Sequence, residues 1–411
     1  MSDNKTHALL SPSGADRWMS CVGSVALVKD LPEESNSYSD EGTDYHILAA
    51  VCLDEGTNAE EYVGHHLESG ALVTEENAAY VQEYVDAVRS YAEGGTLLVE
   101  ERVPIGHLTG EEGAEGTSDA VILRTDHELV VCDLKFGRGV TVLPEGNRQL
   151  MIYALGVLEK HQLVDDFETV QLVISQPRAG GTHEWVCSVI ELQAFAEEVK
   201  RFASQIMTTL KLAATTPGGR VDLPLTPSEK ACRFCKAKAI CPALLEAVDA
   251  AASVGFDDLE NIPVEGMPNR ATVIGEAMQK VSLVETWCKA VRAAAETELL
   301  AGRAVDGYKL VQGKRGNRKF TDLEAAEKAL RRTRLKIEEL FDMTLISPTV
   351  AEKRIANKFP RIWEEVKGLI AQSEGVPSVA PESDKRPALV VTKPEDGFDN
   401  LVEAASADDL L

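Results

Sequence analysis

The sequence lacks an excess of basic residues: 42 Lys and Arg stand against 67 Asp and Glu, giving a formal charge of −25. A protein that coats nucleic acid non-specifically needs the opposite balance, so that class is excluded. The exclusion does not reach a local DNA groove in which metal ions carry the positive charge. No run of about 18 apolar residues is present, which excludes a membrane span by a single helix. The opening stretch, MSDNKTHALLSPS, lacks the charged-then-apolar layout of a secretory signal. The chain is therefore expected in the cytoplasm, and its eight cysteines are expected as reduced thiols or metal ligands rather than disulfides. Internal repeats are also missing. What remains is a chain of 411 residues, 44% of them hydrophobic, enough for roughly two to three domains with a real core.

Periodicity organises the chain. SPSGADRWMSC at 11–21 reads as a helix start with Ser11 or Ser13 as N-cap and Trp18 as an apolar anchor. Residues 41–56 and 76–93 read as helices, the second strongly amphipathic. The period then changes to strands at 95–105, 116–125 and 128–137, with Asp126-His127 as the hairpin turn between the last two. A helix at 147–161, strands at 169–177 and 182–190, and a long helix at 191–215 follow. The expected class is α/β, a mixed central sheet flanked by helices. From about 246 to 370 the pattern is mainly helical, interrupted at 302–320. Residues 371–411 hold nine acidic and three basic residues without periodicity and read as a disordered acidic tail.

The stretch VVCDLKFGRG at 130–139 starts as a buried strand and then places Asp133 and Lys135 on the same side of the pleat. Asp119 sits 14 residues earlier, in EGTSDAVIL. Two hairpin-linked strands bring both carboxylates to one rim. A hard divalent cation such as Mg²⁺ takes oxygen ligands of this kind, with the Leu134 carbonyl as a third donor. Lys135 would then act on the attacking water or the phosphate, the layout of metal-assisted phosphodiester hydrolysis. On these residues alone a surface Asp–Lys pair at a strand end is the competing reading.

The spacing D…D-x-K, with Gly116 ahead of the first aspartate, resembles the PD-(D/E)XK nuclease motif. RQLMIYALG, with Gln149 and Tyr153 on one helix face, resembles the Q-x-x-x-Y helix of the RecB-like branch. EGTDYHILAA resembles that branch's N-terminal helix, whose histidine is a metal ligand; here that is His46. The resemblance implies a restriction-endonuclease-like core, Asp119, Asp133, Lys135, Gln149 and Tyr153 as catalytic residues, and Mg²⁺ or Mn²⁺ held by His46, Asp119, Asp133 and Leu134.

ACRFCKAKAICPAL at 231–244 holds Cys232, Cys235 and Cys241 in a C-x2-C-x5-C cluster, a strong sign of a metal site. Cys21, in RWMSCVGS, is the best fourth ligand. The arrangement resembles the iron–sulfur nucleases of the RecB-like branch, typified by Cas4 proteins, and implies a [4Fe–4S] cluster. Zinc is the rival for the same four thiols. Cys52, Cys132, Cys187 and Cys288 sit singly in apolar segments and read as buried free thiols.

Over its whole length the chain is similar to the phage and prophage proteins of the DUF2800 family, through SPSGADRWMSC, EGTDYH and GYKLVQGKRGNRKF. The organisation expected is a nuclease core at 1–245 closed by the four cysteines, a mainly helical region at 246–370 with a basic hairpin, and the tail at 371–411. The resemblance implies a metal-dependent DNA nuclease, an exonuclease of phage recombination or replication working in the bacterial cytoplasm. It implies DNA as partner, and a phage single-strand annealing or single-strand-binding protein beside it. A non-catalytic DNA-binding or scaffold protein on the same fold is the alternative. Lys309, Lys314, Arg315, Arg318 and Lys319 could contact phosphates or form a solvated hairpin. Glu100 and Glu101 precede the catalytic strands, and of the two Glu101 is the candidate, a weak one, for an added metal carboxylate.

Overall fold

The apolar alternation at 95–134 forms three antiparallel strands because each buries one face on either side of a sheet. In a computed structural model, residues 8–31, 37–137, 139, 141–216, 222–259, 270–309, 311, 348–356 and 358–369 are described. The chain divides into two units, Met1–Gln312 and Gly313–Leu411.

The first unit opens with α1 (Ala15–Ser20), α2 (Ser24–Val28), α3 (Ser37–Glu55) and α4 (Glu75–Tyr91). Strand β1 (Gly95–Pro104), the short α5 (Gly106–Thr109), β2 (Glu115–Arg124) and β3 (Glu128–Leu134) follow. Then come α6 (Arg148–His161), β4 (Thr169–Gln176), β5 (Gly181–Ser188) and α7 (Val189–Thr215). The unit continues through α8 (Glu229–Cys232), α9 (Pro242–Leu259) and α10 (Arg270–Leu300). The five strands lie in chain order in one mixed sheet. Only β3 and β4 pair in parallel, because α6 carries the chain back over the sheet between them.

Each sheet face has its own core. On one, Val103, Val121, Leu129 and Val131 pack with α1, α6 and α7 through Trp18, Leu150, Ala154 and Val199. On the other, Ala120, Ile122, Val130 and Cys132 pack with α3 and α4 through Tyr45, Leu48, Val81 and Tyr84. Each fully buried Leu, Ile or Val contributes about 1.5–3 kcal/mol. Helix α6 starts at Asn147, whose side chain accepts the Leu150 N–H at 3.1 Å, and is buried from Leu150 through Val157. That cap puts Gln149 and Tyr153 in the first two turns, beside the strand ends.

The cap expected of Ser11 or Ser13 does not form. Pro12–Gly14 makes a 3₁₀ turn, and α1 starts at Gly14 without a side-chain cap. Ser11 works through its backbone instead, accepting the Trp18 indole N–H at 3.0 Å and so seating the anchor.

Gly116 has a packing reason. A Cβ there would lie 2.9 Å from Tyr153 Cε1 and 3.0 Å from Pro12 Cγ. Gly116→Ala is expected to destabilise the protein by about 1–3 kcal/mol, read as a lower denaturant midpoint, because the Tyr153 ring must move.

In the second unit, α11 (Pro348–Ile355) and α12 (Pro360–Lys367) are described, and Trp363 is buried on α12. The acidic tail at 371–411, and Lys314, Arg315, Arg318 and Lys319 of the basic hairpin, lie outside the described residues.

Candidate functional site

Strands β2 and β3 pair from Leu123 opposite Leu129 down to Ala120 opposite Cys132, and there the ladder stops. One step further the same register sets Asp119 opposite Asp133. Strand β2 continues beside β1, while β3 continues beside β4, with Asp133 opposite Ile174 and the Lys135 N–H donating to Ser175 O at 2.8 Å. The strands splay, and the opening between them is a notch with a carboxylate on each side. Instead of a ladder bond, the Leu134 N–H donates to Asp119 Oδ2 at 2.8 Å.

The other predicted residues converge on this notch. His46 Nδ1, on α3, lies 3.3 Å from Asp119 Oδ2. Lys135 Nζ lies 2.7 Å from Asp133 Oδ2 and donates to Asp133 Oδ1 at 3.0 Å and to Gln149 Oε1 at 3.2 Å. Gln149 Nε2 lies 3.3 Å from both Asp133 Oδ1 and Tyr153 Oη. Thus His46, Asp119, Asp133, Leu134, Lys135, Gln149 and Tyr153 occupy one connected cluster.

Two features around it hold α3 in place. Tyr45 stacks on Phe136 at 4.1 Å between centroids, and the Arg178 guanidinium covers the same Phe136 ring at 4.7 Å. Arg178 also donates to Glu41 at 3.0 Å. The neighbours of His46 and Lys135 are therefore clamped together, which fixes the histidine against the strand end.

Asp133 does not sit on an exposed rim: it is 3% exposed. Its Oδ2 has no aligned hydrogen-bond donor and is held by the ion pair alone. Burial, and then the negative charge of Asp119, raise its pKa against the pull of Lys135. For Lys135, burial works toward deprotonation, but Asp133 and Asp119 outweigh it and raise the ammonium's pKa. Burial likewise works against ionised Asp119, but the bond from His46 and that from Leu134 outweigh it and lower the pKa. Burial raises the Tyr153 phenol, which stays a proton donor at neutral pH.

Burial pulls the His46 pKa down, yet Asp119, with Asp133 behind it, outweighs burial and raises it above the usual 6.5. A raised folded value means the pair's stability is complete below 6.5 and is lost as pH climbs through the folded pKa. Metal-free protein is therefore expected to show a denaturant midpoint that falls as pH rises above 6.5, and His46→Gln to flatten that decline.

The carboxylate beside the pair is Glu100, not Glu101. Glu101 is taken up by Lys160 Nζ at 2.7 Å and His161 Nε2 at 3.0 Å on α6. Before it, Leu97 and Val99 face α3 and α4 while Leu98 faces α6. After it, Val103 faces α6. The alternation reverses at Glu100, whose φ of 49° is left-handed, and the β1–β2 ladder skips the level of Glu100 and Asp119. The flip turns Glu100 into the wall of a cavity of about 600 Å³ that it shares with His46, Asp54, Thr117 and Asp119. Strict alternation along the sequence hides this residue.

Cys21, Cys232, Cys235 and Cys241 are each 7–8% exposed, and all eight cysteines are free thiols. The four lie close enough for mutual electrostatic effects: burial raises the Cys232 and Cys235 pKa values, and the charges of Cys21 and Cys241 raise them further. The Thr226 N–H donates to Cys21 Sγ at 3.2 Å. Burial keeps Cys52, Cys132 and Cys187 inert in the core, and Cys288 is half-buried. Among the described residues, no three His, Cys, Asp or Glu side chains stand in an arrangement that could hold a metal ion. The donor chemistry nevertheless suits one: two carboxylates and an imidazole around a buried Oδ2 held only by the Lys135 ion pair match a hard divalent cation, and four thiols match iron or zinc. Among the described residues no helix is long and apolar enough to cross a membrane.

A family described as "Protein of unknown function (DUF2800)" matches residues 7–387. Among solved structures, the chain is similar to one described as "Crystal structure of SSO0001", at 16% identity over 54% of this chain and 92% of that one. The TM-score is 0.24, too low to say anything about the fold.

Proposed function

The chain belongs to the DUF2800 family of proteins of unknown function, and we propose that it is a metal-dependent deoxyribonuclease with a PD-(D/E)XK core of the RecB-like, Cas4-like kind. The observation that carries this reading is the notch itself: Asp119 and Asp133 opposite each other where two strands part, with Lys135 and Gln149 bonded to Asp133.

His46, Asp119, Asp133 and the Leu134 carbonyl would hold Mg²⁺ or Mn²⁺. When bound, such a cation lowers the pKa of water and neutralises phosphate charge. Lys135 is kept protonated by the two aspartates, so its ammonium is a donor to the phosphate or to the attacking water's oxygen. Gln149 fixes that ammonium by accepting one of its protons and ties it to Asp133. Tyr153, neutral and bonded to Gln149, orients the amide. These groups are already oriented by one another, so little reorganisation is needed at reaction.

Cys21, Cys232, Cys235 and Cys241 are proposed to hold a [4Fe–4S] cluster that ties the start of the nuclease core to its end, with zinc as the rival occupant. The role in phage recombination or replication, and an exonuclease rather than endonuclease action, rest on the family resemblance. The test is cleavage of labelled single- and double-stranded DNA with Mg²⁺ or Mn²⁺, on substrates blocked at one end or the other. Degradation that stops at a blocked end supports the exonuclease. Intact DNA under every condition leaves the non-catalytic scaffold.

A further inference from the structure

The cysteine segment has an outer surface that the nuclease reading does not use. Its thiols point inward, and Cys232 and Cys241 pack with Leu244 and Val248. Between them, Cys235 and Ala237 are buried while other residues turn outward: Phe234 is 81% exposed, and Ile240, just before Cys241, is exposed too. Arg233 and Lys236 are exposed as well. The Arg233 guanidinium lies 5.5 Å from the Phe234 ring centre, and Lys238 Nζ donates to the Arg233 carbonyl at 3.0 Å, bracing the turn.

Charge sets the segment apart. Residues 230–245 contain Lys230, Arg233, Lys236 and Lys238 and no acidic residue, in a chain whose formal charge is −25. An exposed aromatic ring among cations, on a knuckle braced from inside, has the two parts of a single-strand site: a face for a base and charges for the phosphates on either side. A duplex hides its base faces, so the ring selects unpaired strand.

The knuckle also connects to the notch. Lys230 Nζ lies 2.8 Å from Asp16 Oδ1, and Arg148 Nη1 lies 3.9 Å from the same oxygen. Arg148 donates to Ser20 Oγ at 2.9 Å and is the neighbour of Gln149 on α6. The chain of contacts runs from the cysteine segment to the helix that carries two of the site residues.

We propose that the outer face of the cysteine knuckle, Arg233, Phe234, Lys236 and Lys238, binds a single DNA strand, with a base stacked on Phe234. The strand's being DNA rests on the nuclease reading; the surface itself does not.

The experiment uses full-length protein in EDTA and fluorescence anisotropy with a labelled oligothymidylate and a matching duplex. Phe234→Ala is expected to weaken oligothymidylate binding about five- to a hundredfold, with duplex binding much less affected, and Phe234→Trp to restore it. Replacing Arg233 and Lys236 by Gln is expected to flatten the salt dependence of oligothymidylate binding by about 1.4 in log–log slope, about 0.7 for each lost phosphate contact. Melting curves of each variant separate lost binding from lost folding. Unchanged oligothymidylate affinity in Phe234→Ala, or an equal loss on duplex, overturns the proposal and leaves the face to a protein partner. Hydrolysis of bis(p-nitrophenyl) phosphate by wild type with Mn²⁺ reads the carboxylate notch separately. No hydrolysis together with Phe234-dependent binding sinks the nuclease reading alone; hydrolysis without that dependence sinks the knuckle alone.

Discussion

Asp133→Asn is expected to lower DNA cleavage about a thousandfold or more while leaving the protein folded. Asn keeps the shape and can still accept from Lys135, but it removes the charge on which the notch depends. Lys135→Met is expected to be as inactive and much less stable. It leaves Asp133, 3% exposed, beside Asp119 with no ammonium. Breaking a buried pair from one side costs about 3–5 kcal/mol. The double variant removes both charges and is expected to recover most of that loss without recovering cleavage. Activity and stability therefore part company in this series, read by nuclease rate and by denaturant midpoint. If Lys135→Met retained wild-type cleavage, the assignment of the lysine would fail. An exposed rim pair would have shown almost no stability effect, so the series also measures the burial that the strand splay creates.

Cys21→Ser is expected to lower soluble yield and melting temperature before it alters chemistry at Asp133. Cys21 and Cys232 are more than two hundred residues apart in the chain. A metal joining them removes unfolded-state freedom much as a crosslink does, about 4–5 kcal/mol for so long a loop. Burial raises the Cys232 and Cys235 thiols, so metal loading must release protons there and should tighten as pH rises. Protein purified without oxygen is expected to be brown, since iron–thiolate charge transfer absorbs visible light and zinc does not. Colourless protein with one zinc per chain would replace the iron–sulfur assignment and keep the crosslink. Unchanged metal content and melting temperature in Cys21→Ser would remove both.

Much of this was legible because the signals were local. Asn147 caps α6 where the helical period begins, and Asp126-His127 makes the turn between β2 and β3, with His127 at a φ of 63°. The D…D-x-K, Q-x-x-x-Y and His46 residues converge as spacing and resemblance imply. What was hidden depends on long-range geometry. Period-2 alternation puts Glu101 on the face of Val99 and Val103, and nothing in the residue types announces the left-handed Glu100 that reverses it. The burial of Asp133 follows from β2 and β3 parting to different neighbours, which a single strand's pattern cannot encode. Ser11 looked like a cap because its hydroxyl suits one; the Trp18 indole took its carbonyl instead, and the turn before α1 followed Pro12.

The most direct measurement is an add-back titration on EDTA-stripped protein, with Mn²⁺ occupancy read by electron paramagnetic resonance and DNA cleavage read on the same samples. The account predicts no cleavage without metal, and a rate that rises with Mn²⁺ bound at a site that Asp119→Asn weakens. Cleavage by stripped protein, or full occupancy of that site with DNA left intact, would contradict it.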